Sequence, residues 1–177
     1  MIKIQLVDDE PQILRALQRV LRPHDWELHC FSDAQAALED LNENRYAAIL
    51  SDYQMPHLDG ITYLQFAKQC QPQALRLLLT AHGDQQSMMR AINHAEIYRF
   101  LPKPWEDFEV ENAMTSAVDL YQLRQERQCL LDQLKHQQNQ LERQRAELRQ
   151  LEAQHPGITR VIRDADGAIL LDPDNPD

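Results

Sequence analysis

Over the first hundred residues, short apolar runs alternate with stretches whose apolar positions recur every three or four residues. Ile2–Val7 predicts a strand, closed by Asp8-Asp9-Glu10. Within Pro11–Leu21, apolar side chains at Ile13, Leu14, Leu17, Val20 and Leu21 have helical spacing. Trp26–Phe31 predicts a second strand, and Asp33 an N-cap for a helix through Leu41. Ala47–Ser51 predicts a third strand, followed by a loop with Met55, Pro56 and Gly60 and a helix near Ile61–Cys70. Leu75–Leu79 predicts a fourth strand, Gln85–Asn93 a helix and Tyr98–Leu101 a fifth strand. Strand and helix in strict alternation predict an α/β protein with a doubly wound five-stranded parallel sheet, covered by helices on both faces. A site in such a sheet belongs beyond the carboxyl ends of its strands.

After Pro104 the pattern changes. From Trp105 to Gln154 there is no Gly or Pro, and Leu, Gln, Arg and Glu dominate. A helix of that length would reach roughly 75 Å at 1.5 Å per residue. A heptad register places Leu120, Arg127, Leu134, Leu141 and Leu148 at a, and Leu123, Leu130, Gln137, Gln144 and Leu151 at d. That seam predicts a coiled coil, with Arg127, Gln137 and Gln144 as polar interruptions that fix its register. A parallel homodimer through residues 120–151 is expected; the alternative is a stripe folded back on its own domain. His155-Pro156-Gly157 ends the helix. Ile158–Arg163 and Ala168–Leu171 flank Asp164-Ala165-Asp166-Gly167 and predict a small hairpin before the acidic end Asp172–Asp177. The expected division is 1–119 for the sheet domain, 120–154 for the coiled-coil helix and 155–177 for the tail.

Composition narrows the function. The 177 residues are 43% hydrophobic and 26% charged, enough for one domain with a core and an appendage. The formal net charge is -10, and residues 120–154 carry 6 basic against 5 acidic side chains. No segment has the basic excess that a phosphate backbone requires, so nucleic acid is not an expected partner. No apolar run approaches the roughly 20 residues of a membrane span, and no secretory leader pattern follows Met1. Cys30, Cys70 and Cys129 are an odd set at unrelated spacings, unfit for a disulfide framework or a zinc site. A cytoplasmic protein is expected.

The chemistry sits at the predicted strand ends. Asp8 and Asp9 follow the first, Asp52 the third, Thr80 the fourth and Lys103 the fifth. Three carboxylates at one edge need a counter-charge, and an all-oxygen set with room for water suits Mg2+. A nucleophilic carboxylate, a metal, a lysine and a hydroxyl together can hold a transferred phosphoryl group. His24, His29, His57, His94, His136 and His155 lack ligand spacing and are expected at surface or loop positions.

Val7-Asp8-Asp9-Glu10, Ser51-Asp52-Tyr53-Gln54-Met55-Pro56 with Gly60, Leu79-Thr80-Ala81 and Lys103-Pro104 resemble the receiver domain of two-component response regulators. The resemblance covers roughly residues 1–120. It implies a (βα)5 fold of flavodoxin type and phosphorylation of Asp52 from the phosphohistidine of a histidine kinase or phosphotransfer protein. By position it implies Mg2+ bound by Asp9 and Asp52 directly, by Asp8 mainly through water, and by the Gln54 carbonyl. It implies that Lys103 pairs with the phosphoryl oxygens, that Thr80 swings in to bond one of them, and that Phe100 is the aromatic switch residue, here without a hydroxyl. Lys103-Pro104 matches the family's cis peptide. Gln54 and His82 fall where the family tunes phosphoryl lifetime. Tyr98–Trp105 resembles the receiver subgroup that often precedes phosphodiesterase, cyclase or ATPase domains.

The expected function is a phosphorelay response regulator that is no enzyme beyond its own phosphorylation. It would signal through altered dimerisation or protein–protein contact, with no DNA-binding or enzymatic output domain. The alternative is the N-terminal part of a longer regulator with an output enzyme of phosphodiesterase, cyclase or ATPase type.

Overall fold

The structure, a computed structural model, describes residues 1–81 and 95–155. The expected helix Gln85–Asn93, His82, His94 and the expected hairpin after Gly157 lie outside the described residues. The elements are β1 (Ile2–Val7), α1 (Pro11–Leu21), β2 (Trp26–Phe31), α2 (Ala34–Asp40), β3 (Ala48–Asp52), α3 (Gly60–Cys70), β4 (Leu75–Ala81), β5 (Arg99–Lys103) and α4 (Asp107–Gln154). The five strands form one parallel sheet in the order β2-β1-β3-β4-β5. The strand order reverses between β1 and β3, which is where a doubly wound sheet opens a crevice at its carboxyl edge.

Local chemistry sets the helix starts. Pro11 opens α1, where a missing N–H costs nothing. The Asp33 carboxylate accepts from Gln35 N and Ala36 N ahead of α2, and the Asp59 carboxylate accepts from Thr62 N ahead of α3. Side chains of each strand alternate between two cores. Ile4, Leu6, Leu50, Leu77 and Leu79 meet Leu14, Leu17 and Leu21 of α1 and Val110, Ala113, Met114 and Ala117 of α4. Val7, Ile49 and Leu78 meet Ala37 of α2, Leu41 just beyond it, and Tyr63, Leu64 and Ala67 of α3.

Three strands run further than the apolar pattern predicts. β3 reaches Asp52 rather than Ser51, β4 reaches Ala81 rather than Leu79, and β5 reaches Lys103 rather than Leu101. The ladder continues past the last apolar residue, pairing Asp52 with Leu79 and Lys103 with Ala81. Pro102 is tolerated within β5 because that strand is an edge of the sheet. Asp52, Thr80 and Lys103 therefore stand on hydrogen-bonded strand, which fixes them more firmly than a loop would.

The expected surface or loop position of His29 is corrected. It lies within β2, half-buried, with Nε2 2.7 Å from Glu27 Oε1 and Nδ1 2.7 Å from the Tyr46 hydroxyl. The buried Arg76 on β4 donates from Nε to the Ala95 carbonyl at 2.8 Å and from Nη1 to the Ala74 carbonyl at 2.7 Å.

The chain divides into two compact units, Met1–Arg127 and Gln128–Asp177. The first holds the sheet and its covering helices. The second is helical through Gln154 as far as it is described, and its Leu130, Leu134, Leu141, Leu148 and Leu151 are 47–60% exposed. No helix among the described residues is long and apolar enough to cross a membrane.

Candidate functional site

The parallel register brings the carboxyl ends of β1, β3 and β5 to one edge, and with them four of the predicted site residues. Asp8 follows β1 directly, its N–H donating to the Phe31 carbonyl at 3.1 Å, and its side chain is fully buried. Asp52 ends β3 and is buried; Asp9 is more open to solvent. Lys103, at the end of β5, bridges two of the acids, with Nζ 2.7 Å from Asp8 Oδ2 and 2.8 Å from Asp52 Oδ1. The other Asp8 oxygen accepts from Glu10 N at 2.9 Å. One carboxylate oxygen from each of Asp8, Asp9 and Asp52 falls within 4.8 Å of the others.

Burial and pairing compete over these charges. Burial pushes the Asp8 carboxyl above the ordinary carboxylate range; the bonds from Lys103 and from Glu10 N offset only part of that rise. Burial alone would push the Lys103 ammonium down, but its bonds to Asp52 and Asp8 outweigh this and hold it above the ordinary lysine range. One ammonium thus faces two acids, with the third carboxylate alongside. That deficit of positive charge suits a divalent cation, and three carboxylate oxygens beside solvent fit Mg2+, which keeps several waters.

The remaining predicted residues are placed differently. The Thr80 side chain is buried near the end of β4, its hydroxyl donating to the Ala81 carbonyl at 3.1 Å. Phe100 is half-buried against the core under α2 and α3. Gln54 lies two residues beyond Asp52 in the loop leading to α3, exposed. The Lys103–Pro104 peptide is cis. Beside Lys103, Ile13, Pro104 and Trp105 line a shallow apolar recess. Sequence reasoning missed Ser51, whose buried hydroxyl donates to the Asp52 carbonyl at 2.9 Å. Its signals in the sequence were a serine closing an apolar strand and its place directly before Asp52 in the Ser51–Pro56 motif.

A family model described as response regulator receiver domain matches residues 4–115. The hydrogenase transcriptional regulatory protein HoxA of Bradyrhizobium diazoefficiens is 33% identical over 123 residues, which is 70% of this chain and 25% of that protein. The transcriptional regulatory protein FixJ of the same organism is 32% identical over 115 residues, 65% of this chain and 56% of that protein. Among solved structures, the signal receiver domain of an HD domain-containing protein from Pseudomonas fluorescens Pf-5 superposes with a TM-score of 0.66 at 37% identity. That match covers 68% of this chain and 97% of the other. A chain described as adenylate cyclase from Rhodopirellula baltica superposes with a TM-score of 0.69 at 29% identity, over 73% of this chain and 96% of that one. The match spans only about a quarter to a half of the length of the curated relatives.

Proposed function

Since the chain belongs to the response regulator receiver family, we propose that it is a phosphorylation-switched signalling protein whose phosphoacceptor is Asp52. The observation that carries this reading is the Lys103 ammonium between Asp8 and Asp52, at 2.7 and 2.8 Å, with Asp9 alongside. Asp9, Asp52 and the Gln54 carbonyl would hold Mg2+, with Asp8 acting mainly through water. The bound ion supplies positive charge to the phosphoryl oxygens.

In the transfer, an Asp52 carboxylate oxygen forms a bond to phosphorus as the phosphorus–nitrogen bond of a donor phosphohistidine breaks. The leaving imidazole keeps the electron pair and takes up a proton. Lys103 then turns from the Asp52 carboxylate to the new phosphoryl oxygens and offsets their charge, about -1.5 to -2 near neutral pH. Thr80 reaches the phosphoryl group by giving up its bond to the Ala81 carbonyl, and the vacated space admits Phe100. A histidine kinase or phosphotransfer protein is the donor in this account, and the protein works in the cytoplasm.

The receiver spans 1–119 in this proposal, and the signal leaves through α4. Leu123, Leu130, Leu134, Leu141, Leu148 and Leu151 are each 47–63% exposed on that helix. Their heptad spacing is self-complementary, and burying a leucine fully is worth about 1.5–3 kcal/mol. A second copy, parallel and in register, is the partner that fits. Phosphorylation is expected to change the geometry or affinity of that dimer. Sedimentation of the full chain with acetyl phosphate and Mg2+ should differ from sedimentation without them, and Asp52→Ala should abolish the difference. An identical profile in all conditions would remove the link between site and stalk.

The relatives' lengths favour a second reading. HoxA is matched over only 25% of its length, and a longer regulator carrying an enzymatic output, joined through α4, is compatible with the same receiver.

A further inference from the structure

We propose that the Asp52 peptide carbonyl is held in a socket made by Gly60 and the Ser51 hydroxyl, and that these two are positioning residues for the phosphoacceptor. The proposal rests on the reading of Asp52 given above and adds what aims it. A β-carbon built on Gly60 would lie 1.9 Å from the Asp52 carbonyl oxygen, 2.8 Å from its carbonyl carbon and 3.1 Å from Leu78 Cδ1. The first two separations are closer than real side chains approach, and the atoms met are backbone, which cannot turn aside as a flexible side chain would. Ser51 Oγ donates to the same carbonyl oxygen at 2.9 Å. Both residues are buried, so no water substitutes for either.

The walls of the socket are fixed independently. On the sheet side, Asp52 pairs with Leu79, and Tyr53 N donates to the Leu79 carbonyl at 2.9 Å. On the helix side, Asp59 accepts from Thr62 N at 3.0 Å and from the Thr62 hydroxyl at 2.7 Å. Gly60 N joins the two by donating to the Tyr53 carbonyl at 2.9 Å. A methyl group at position 60 must therefore either lift the start of α3 or rotate the Asp52–Tyr53 peptide. Rotation swings the Asp52 carboxylate relative to Lys103 and carries the Gln54 carbonyl, two residues on, with it. An acceptor and a backbone ligand would both lose their aim, although neither residue had been changed.

Three variants of the full chain test this by calorimetric Mg2+ titration, with the rate of phosphorylation by acetyl phosphate as second readout. Gly60→Ala should weaken Mg2+ binding and slow phosphorylation by about ten- to a hundredfold, the penalty of an ångström-scale misplacement. Ser51→Ala, which removes one hydrogen bond and adds no bulk, should cost about two- to tenfold in both. Asp33→Ala removes the cap of α2, a helix that forms no part of the socket; it should lower the melting temperature yet leave Mg2+ affinity unchanged. If Gly60→Ala does not fold, Ser51→Ala decides alone. Wild-type Mg2+ affinity in both socket variants would overturn the proposal. So would a loss in Asp33→Ala equal to that in Gly60→Ala, since general destabilisation would then be the whole effect. A wild-type chain that binds no Mg2+ and takes no phosphoryl group would instead refute the reading of Asp52 itself.

Discussion

Lys103→Met is expected to lose about 3–5 kcal/mol of stability at neutral pH, the cost of removing one partner from a buried ion pair. The lysine stands 2.7 and 2.8 Å from Asp8 and Asp52, and Asp8 is fully buried. Methionine keeps the bulk and removes the charge, leaving two carboxylates face to face. Proton uptake limits the loss. Asp8 already binds its proton more tightly than an ordinary carboxyl, because burial outweighs the help of Lys103. Without the ammonium its affinity for that proton rises further. A raised carboxyl favours the folded state below its unfolded pKa, and that contribution is lost as pH climbs through the folded value. The variant should therefore regain stability as the solution is acidified from neutral toward the ordinary carboxylate range. The wild type, with Lys103 charged throughout that interval, should gain less.

Mg2+ should stabilise the Lys103→Met chain more than the wild type, since the ion no longer competes with an ammonium for the same oxygens. Phosphorylation should nonetheless slow, because the product loses the cation that Lys103 provides. Urea midpoints across pH, with and without Mg2+, read all of this. An unchanged midpoint at neutral pH would mean that the bridge contributes nothing to the fold.

The second large effect concerns the stalk. Leu130→Asn with Leu134→Asn replaces two exposed leucines, 60% and 56% open, that fall at adjacent d and a positions. An isolated helix loses little by the exchange. A dimer that buries both leucines twice over loses about 1.5–3 kcal/mol per site, and buries four amides in their place. At micromolar concentration the double variant should sediment as a monomer while the wild type sediments as a dimer. Equal mass for both would refute the self-association and leave the stripe to a different partner.

Much of this was legible in the chain because the relevant patterns are local. β1, α1 and β2 have the bounds that their apolar spacing predicts. Asp33 caps α2 as its position implies, and three carboxylates and a lysine at the predicted strand ends converge. The strand ends were less legible. Asp52, Thr80 and Lys103 are polar or charged and read as loop, whereas the ladder carries the backbone through them. Least legible were the buried polar side chains. Gln5 on β1 is fully buried and donates to the Ala37 carbonyl at 2.9 Å, and it accepts from the Tyr63 hydroxyl. Arg76 serves carbonyls of Ala74 and Ala95. Apart from Ala74, their partners are 19 to 58 residues away in sequence, so no short window of the chain announces them. The place of Gly60 against Asp52 is of the same kind. A glycine in a loop is ordinary; only the fold shows that a backbone carbonyl occupies the space of its side chain.

Everything proposed for the switch depends on Asp52 carrying the phosphoryl group. The direct measurement is to incubate the full chain with acetyl phosphate and Mg2+ and map the modified residue by peptide mass spectrometry, with and without hydroxylamine. One hydroxylamine-labile acyl phosphate is expected, on Asp52, absent when Mg2+ is withheld and absent from Asp52→Ala. A phosphoryl group that persists in Asp52→Ala, or that maps to another residue of the wild type, would contradict it.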